Sequence, residues 1–320
     1  MMHEIKRHKT KLTLAVLLCL ASSSFVWFRG SFAARERTLD PSSQPNSIAE
    51  DQARLLIAQA AQLRTAGQYS QAAPLLDQAL ALAESTSGPD SITTATVLNQ
   101  LGMLDKYAGR FDEGNRVYRR ALKIVEQQLG PLDPLRADLY HNLGGINHAR
   151  GRYAEGEPFA RLAVEIRKRS LGPDHPDTAA DMSALAALLD GQGKYDEAEQ
   201  LYLHALAVFE RAYGSENFDV AVNLNNLAAL YYARGNIKEA EWRYRRALAI
   251  KEKLLGTDNP DIAMTLNNLA VLCKAQQRYP EAVTLYRRAL AIFERELGQD
   301  HPKVTTCRAK YEKLLREIGH

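Results

Sequence analysis

The sequence predicts an all-α chain, an α-solenoid of six helix hairpins closed by a C-terminal capping helix. Three observations carry this. Glycine recurs two residues before an aromatic or Ile at Gly67, Gly109, Gly151, Gly193 and Gly235, each 42 residues after the last. A second glycine series, Gly88, Gly130, Gly172, Gly214, Gly256 and Gly298, keeps the same spacing. An alanine series keeps it too, at Ala79, Ala121, Ala163, Ala205, Ala247 and Ala289. Three series in one frame, with no insertion, define an internal repeat.

The N-terminus stands outside that frame. Residues 1–11, MMHEIKRHKTK, are basic, and the apolar run LTLAVLLCL follows at 12–20, then FVWF at 25–28. A basic segment before a short apolar one is the pattern of an export signal. Read as one uncleaved span, residues 12–28 reach the lower limit for crossing a bilayer. Residues 1–28 are therefore expected to be a signal peptide or an N-terminal membrane anchor, with the rest of the chain exported to the periplasm or another extracytoplasmic space. Residues 29–47 are polar and contain Pro and Ser, as a flexible linker does.

Residues 48–298 divide into six 42-residue units, each expected to hold two helices. The first helix carries apolar residues at helical spacing, as at Leu224, Leu227 and Tyr231. It ends at the turn marked by the first glycine series; in the sixth unit Gln277 stands in place of glycine. The second helix runs through YRRALAI-type segments to the second glycine series, where a left-handed C-cap is expected. Pro and Asp just beyond, as in LGPDHPDTA at 171–179, start the next unit. Small residues at Ala198, Ala205 and Ala240 allow paired helices to approach closely. A lone hairpin cannot bury its apolar face, so neighbours must stack. Residues 299–320 begin a seventh unit that has only its first helix, whose Lys- and Glu-rich face suits a solvated cap.

The segments GRFDEGNRVYRRALKIVEQQLG, GKYDEAEQLYLHALAVFERAYG and GNIKEAEWRYRRALAIKEKLLG resemble tetratricopeptide (TPR) repeats. The 42-residue spacing and the LGPDHP and LNNLA signatures resemble the longer variant of kinesin light chains. The resemblance implies a right-handed solenoid whose first helices line a concave groove, and a protein or peptide partner. A motor subunit is not implied, because no heptad-rich coiled coil is present and an export signal is.

The pair of asparagines in LNNLA forms two columns across the repeats. The first reads Ile57, Asn99, His141, Ser183, Asn225, Asn267, and the second Ala58, Gln100, Asn142, Ala184, Asn226, Asn268. The leucines that follow (Leu101, Leu143, Leu185, Leu227, Leu269) are core positions, so the amides are expected on the face left open by stacking. Each amide offers donors and an acceptor, and a row of them suits the peptide groups of an extended segment of any sequence. The candidate site is thus Asn99, Gln100, Asn142, Asn225, Asn226, Asn267 and Asn268. Met103, Lys106, His148, Tyr232 and Lys274, further along the same face, would add selectivity. The competing reading is that the amides bond each other and hold the stack.

Other chemistry finds little support. The 41 basic and 38 acidic residues nearly balance, so no nucleic-acid partner is expected. His141 and His148 share a helix face but lie about 10 Å apart along it, too far to hold one ion. His175 and His301 sit in repeated DHP turns and read as caps. No metalloprotease, nucleophile-elbow, phosphate-loop or dinucleotide motif appears, so no catalytic residue, metal or cofactor is expected. The Arg pairs at 119–120, 245–246 and 287–288 read as an outer salt-bridged face. Cys273 and Cys307 fall at different heights on their helices, which predicts two unlinked thiols. The alternative function is a structural part of a cell-envelope assembly that uses the convex or end surfaces.

Overall fold

The computed structural model describes residues 45–65 and 68–319; residues 1–44, with the proposed signal or anchor, Cys19 and most of the linker, lie outside it, as does Gly67. Among the described residues the secondary structure is entirely helical. The helices are α1 (Pro45–Thr65), α2 (Tyr69–Thr86), α3 (Ile92–Tyr107), α4 (Phe111–Gln128), α5 (Pro134–Ala149), α6 (Tyr153–Leu171) and α7 (Pro176–Gly191). They continue with α8 (Tyr195–Tyr213), α9 (Phe218–Ala233), α10 (Ile237–Leu255), α11 (Pro260–Ala275), α12 (Tyr279–Leu297) and α13 (Pro302–Glu317). Odd-numbered helices through α11 are the first helices of the hairpins, and α13 is the expected seventh without a partner. The first helix begins at Pro45, three residues before the expected boundary. No described helix is long and apolar enough to cross a membrane.

The described chain divides within α7 into two compact units, one up to Ala184 and the other from Leu185. In the first, α1 packs on α2, α3 on α4 and α5 on α6, while the first helices α1, α3 and α5 also touch in succession. In the second, α9 packs on α10, α11 on α12, and α13 covers α12.

From α3 to α13, each odd-numbered helix starts with a side-chain cap in one column. Ser91, Asp133, His175, Asn217, Asn259 and His301 each accept a hydrogen bond from a backbone N–H two or three residues on. The two histidines are caps, as expected: His175 Nδ1 accepts from Asp177 N and His301 Nδ1 from Lys303 N, both at 3.1 Å. Such a bond satisfies one of the orphan donors of a helix N-terminus.

The two glycine series do different work. The first closes the first helix with a paired bond, as where Gly235 N donates to Tyr232 O and Asn236 N to Tyr231 O, the Schellman pattern. The same pair is made where Gln277 N donates to Lys274 O and Arg278 N to Cys273 O, with Gln277 at φ 61°, a left-handed conformation that costs a side-chain-bearing residue energy. The second series departs from the expected left-handed cap. Gly172 has φ 91° and ψ 162°, a region that glycine alone enters readily. Here the chain extends away from the helix instead of curling under it. Gly130 departs further: its helix ends in extended backbone at Leu129, and its φ is not positive.

The core follows the alanine column. Ala79, Ala121, Ala163, Ala205, Ala247 and Ala289 have no exposed surface, and neither do Ala198 and Ala240. Tyr118, Tyr202, Tyr244 and Tyr286 bury their rings beside them. The Tyr118 ring lies so close to Gly102 that a Cβ there would sit 2.5 Å from it. Of the core leucines, Leu143, Leu185, Leu227 and Leu269 are at most 3% exposed. Cys273 and Cys307 are buried and not bonded to each other.

The outer face is ion-paired. Arg120 reaches Glu84 (2.7 Å), Arg246 reaches Glu210 (2.7 Å) and Arg288 reaches Glu252 (2.6 Å), each joining consecutive second helices. These pairs are well exposed and contribute little stability apiece. They define the outside of each unit and leave the first helices as the face with chemistry to offer.

Candidate functional site: the amide face of the first helices

The structure corrects the expected openness of the amide columns. Asn99, Gln100, Asn142, Asn225, Asn226, Asn267 and Asn268 are all buried, between 3% and 8% exposed. Adjacent first helices pack closely enough that these side chains form a floor between them. Further along, Lys106 (7%), His148 (3%) and Tyr232 (8%) are buried as well. Met103 is half-buried, and Lys274 keeps part of its surface while pairing with Glu317 at 2.7 Å.

In the unit ending at Ala184 this floor is bonded across helices. Asn142 Nδ2 donates to Asn99 Oδ1 at 2.8 Å, joining α5 to α3. His141, next to Asn142, lies with Nδ1 2.5 Å from Asp181 Oδ1 on α7. Asp181 Oδ2 is ion-paired with Arg167 Nε at 2.7 Å, and Arg167 also holds Asp138. Burial pushes the Asp138 carboxyl up to about 6 even against the pull of Arg167. Burial likewise holds the His141 imidazole below its ordinary value, against the pull of Asp181. His148 drops to about 4 through burial and the Lys106 charge, and Lys106 to about 7 through burial and Arg64. Arg64 and Lys106 both lie by the Tyr107 ring, at 5.5 and 5.8 Å.

In the unit from Leu185 the same floor is not bonded across helices. Asn267 Nδ2 donates to its neighbour Asn268 Oδ1 at 3.3 Å. The cross-helix bond of Asn99 and Asn142 has no counterpart between Asn225 and Asn268. Asn225 Oδ1, Asn226 Nδ2 and Asn267 Oδ1 are enclosed and have no hydrogen-bond partner. Near the end of α7, Asp190 is 3% exposed and neither of its carboxylate oxygens has a partner. Burial alone pushes its carboxyl up to about 7. An enclosed polar atom without a partner keeps the full cost of its desolvation, about 1–3 kcal/mol for a neutral group and more for a charge.

Two sets of residues escaped the pattern reading. Arg167 and Lys251 are buried in a column whose other members are Ala83, Val125, Phe209 and Phe293. Lys251 is held by Thr265 Oγ1 at 3.1 Å, beside buried Asp261. Asp190 stands in the column of Arg64, Lys106, His148, Tyr232 and Lys274 and is its one acid. The signal for both was a residue whose charge breaks its own column.

The described residues hold no group of three or more His, Cys, Asp or Glu side chains arranged for a metal ion. The face instead presents amide donors and acceptors in a row along packed helices. The chain matches the tetratricopeptide-repeat family over residues 51–127, 135–211, 191–253, 219–295 and 261–320. It belongs to that family. Among solved structures, BtubC (BKLC) from P. vanneervenii is 24% identical, with a TM-score of 0.53, over 81% of this TPR chain and 95% of that one. A putative kinesin light chain from Podosopora anserina, with nearly identical TPR-like repeats, is 23% identical at a TM-score of 0.53, over 64% of this chain and 98% of that one. NprR in complex with its cognate peptide NprX is 17% identical at a TM-score of 0.64, over 88% and 79%. At these identities the likeness concerns the fold. No curated protein matches the chain.

Proposed function

We propose that this TPR chain is a non-catalytic interaction scaffold whose first-helix amides take an extended peptide, or an extended segment of a partner protein. The observation that carries this reading is the set of enclosed amide atoms without partners at Asn225, Asn226 and Asn267. A floor meant only to hold helices together would pair its amides, as Asn99 and Asn142 do. Unpaired amides match the alternating N–H and C=O groups of an extended backbone, the reading in which a partner's main chain supplies the bonds. That NprR, of similar fold, takes a peptide agrees with this use of the architecture. The amides are enclosed in the unliganded chain, so binding includes their rotation toward the ligand.

The scaffold works outside the cytoplasm, on the strength of the basic and apolar pattern of residues 1–28. A reporter enzyme that is active only after export, fused after residue 47, tests this. Activity is expected, and a reporter active only when fused to an added signal contradicts it.

For binding, a randomised heptapeptide library is selected on the chain and a selected peptide is titrated by fluorescence anisotropy. The double variant Asn225→Ala/Asn226→Ala is expected to bind at least tenfold more weakly with unchanged helical circular dichroism. Unchanged affinity with the fold preserved overturns the reading.

A further inference from the structure

We propose that Asp190 is a recognition residue for a basic side chain, the guanidinium of Arg or the ammonium of Lys, on the peptide that the amides of the Leu185–His320 unit take. The inference rests on the peptide-binding reading above and gives it a substrate class.

Four observations lead there. Both carboxylate oxygens of Asp190 are enclosed without a hydrogen bond or ion pair among the described residues. A buried carboxylate is ordinarily paired, as Asp181 is with Arg167 in the other unit. Asp190 also lies on the amide face: it is two helical turns beyond Ser183, the α7 member of the first amide column. Second, no cation among the described residues is paired with it. Burial is the only influence on its titration, and its charge is felt by the Tyr195 and Tyr202 hydroxyls, which do not neutralise it.

Third, the unpartnered atoms on the same unit's amide face are mostly acceptors. Asn225 Oδ1 and Asn267 Oδ1 join the two oxygens of Asp190, against the single donor Asn226 Nδ2. A face rich in empty acceptors calls for a ligand rich in donors, and Arg and Lys are the peptide side chains that carry donors and no acceptor. Fourth, the column that holds Asp190 is otherwise basic, aromatic or imidazole, at Arg64, Lys106, His148, Tyr232 and Lys274. A lone acid there reverses the charge of the position, which alters what a partner must bring to it. Engagement needs the Asp190 side chain to turn toward the ligand about its own torsions, and an isosteric Asn shares that freedom.

The test uses the full chain and a phage-displayed randomised heptapeptide library. Wild type is expected to enrich Arg or Lys at one position. Asp190→Asn is expected to go on selecting peptides without that enrichment, and Asp190→Glu, which keeps the charge, to retain it. A selected Arg peptide resynthesised with citrulline, the same shape without the charge, should bind wild type at least tenfold more weakly. That arm needs no variant and so does not depend on how any variant folds. Selected peptides without basic enrichment, enrichment that survives in Asp190→Asn, or equal binding of the Arg and citrulline peptides overturns the role of Asp190 while leaving the scaffold reading standing. If no variant, wild type included, selects any peptide, the scaffold reading falls and this inference with it.

Discussion

The unit ending at Ala184 and the unit beginning at Leu185 share one repeat frame and treat the amides of their first helices differently. In the first, a buried carboxylate, Asp181, is held by Arg167 and His141, and Asn142 is bonded to Asn99. In the second, Asp190 has no partner, and Asn225, Asn226 and Asn267 each leave an enclosed atom unpaired. The scaffolding is the same in both: side-chain N-caps, Schellman turns, an alanine column and buried tyrosine rings. Packing therefore does not require the unpaired groups. Asn225 and Asn267 share the column of Asn99, and an amide bonded in one unit but left unpaired at the equivalent positions of the other points to a demand from outside the fold.

The largest expected effect separates the two carboxylates. Asp181→Ala leaves Arg167 and His141 around an empty position and should destabilise the chain by about 3–5 kcal/mol. Asp190→Asn should instead raise stability by roughly 4 kcal/mol at pH 8, since it removes a lone buried charge. Chemical denaturation of both variants measures this, and two losses of similar size would break the comparison.

A pH series sharpens it. The Asp190 carboxyl titrates near 7 in the folded chain and near its ordinary value of about 4 when unfolded. Between those values the folded chain holds the proton more tightly. The stability that this contributes is fully present below pH 4 and is lost as pH rises toward 7, at about 1.4 kcal/mol per pH unit. Asp190→Asn should remove that slope, so wild type and variant converge in stability at low pH and diverge toward pH 8. Parallel stability curves would place the Asp190 charge in a solvated or paired setting.

The amides come next. Asn142→Ala strands Asn99 Oδ1 and should cost about 1–3 kcal/mol. Asn226→Ala removes a group that already lacks a partner for its donor and should cost less stability than Asn142→Ala. A further effect concerns a turn. Gln277→Gly relieves a left-handed residue in the Leu185–His320 unit and should raise stability by about 0.5–1 kcal/mol, read from the denaturation midpoint.

Much of this molecule is legible in its sequence, for a physical reason. A stacked repeat makes each structural duty recur at a fixed interval, so a column of residues reports the duty. The alanine column marks close helix contact, and Ser91, Asp133, His175, Asn217, Asn259 and His301 mark the caps. The amide columns were equally visible as columns, but not their depth. Whether Asn226 is open or enclosed depends on how near the next first helix comes, which no single column records. The second glycine series shows a similar limit: glycine marked a special backbone position, while its ψ near 160° was set by how the chain leaves the helix. The ion network of Arg167, Asp138 and Asp181 joins three different columns, and only the folded chain brings them together.

The central claim is that the bonded amides hold the fold while the unbonded ones serve a ligand. One paired measurement tests it most directly: stability and affinity for a library-selected peptide, determined for both Asn142→Ala and Asn225→Ala/Asn226→Ala. The account predicts that Asn142→Ala loses stability and keeps most of its affinity, while the double variant loses less stability than Asn142→Ala and at least tenfold in affinity. Two variants that lose stability alike and bind alike would contradict it.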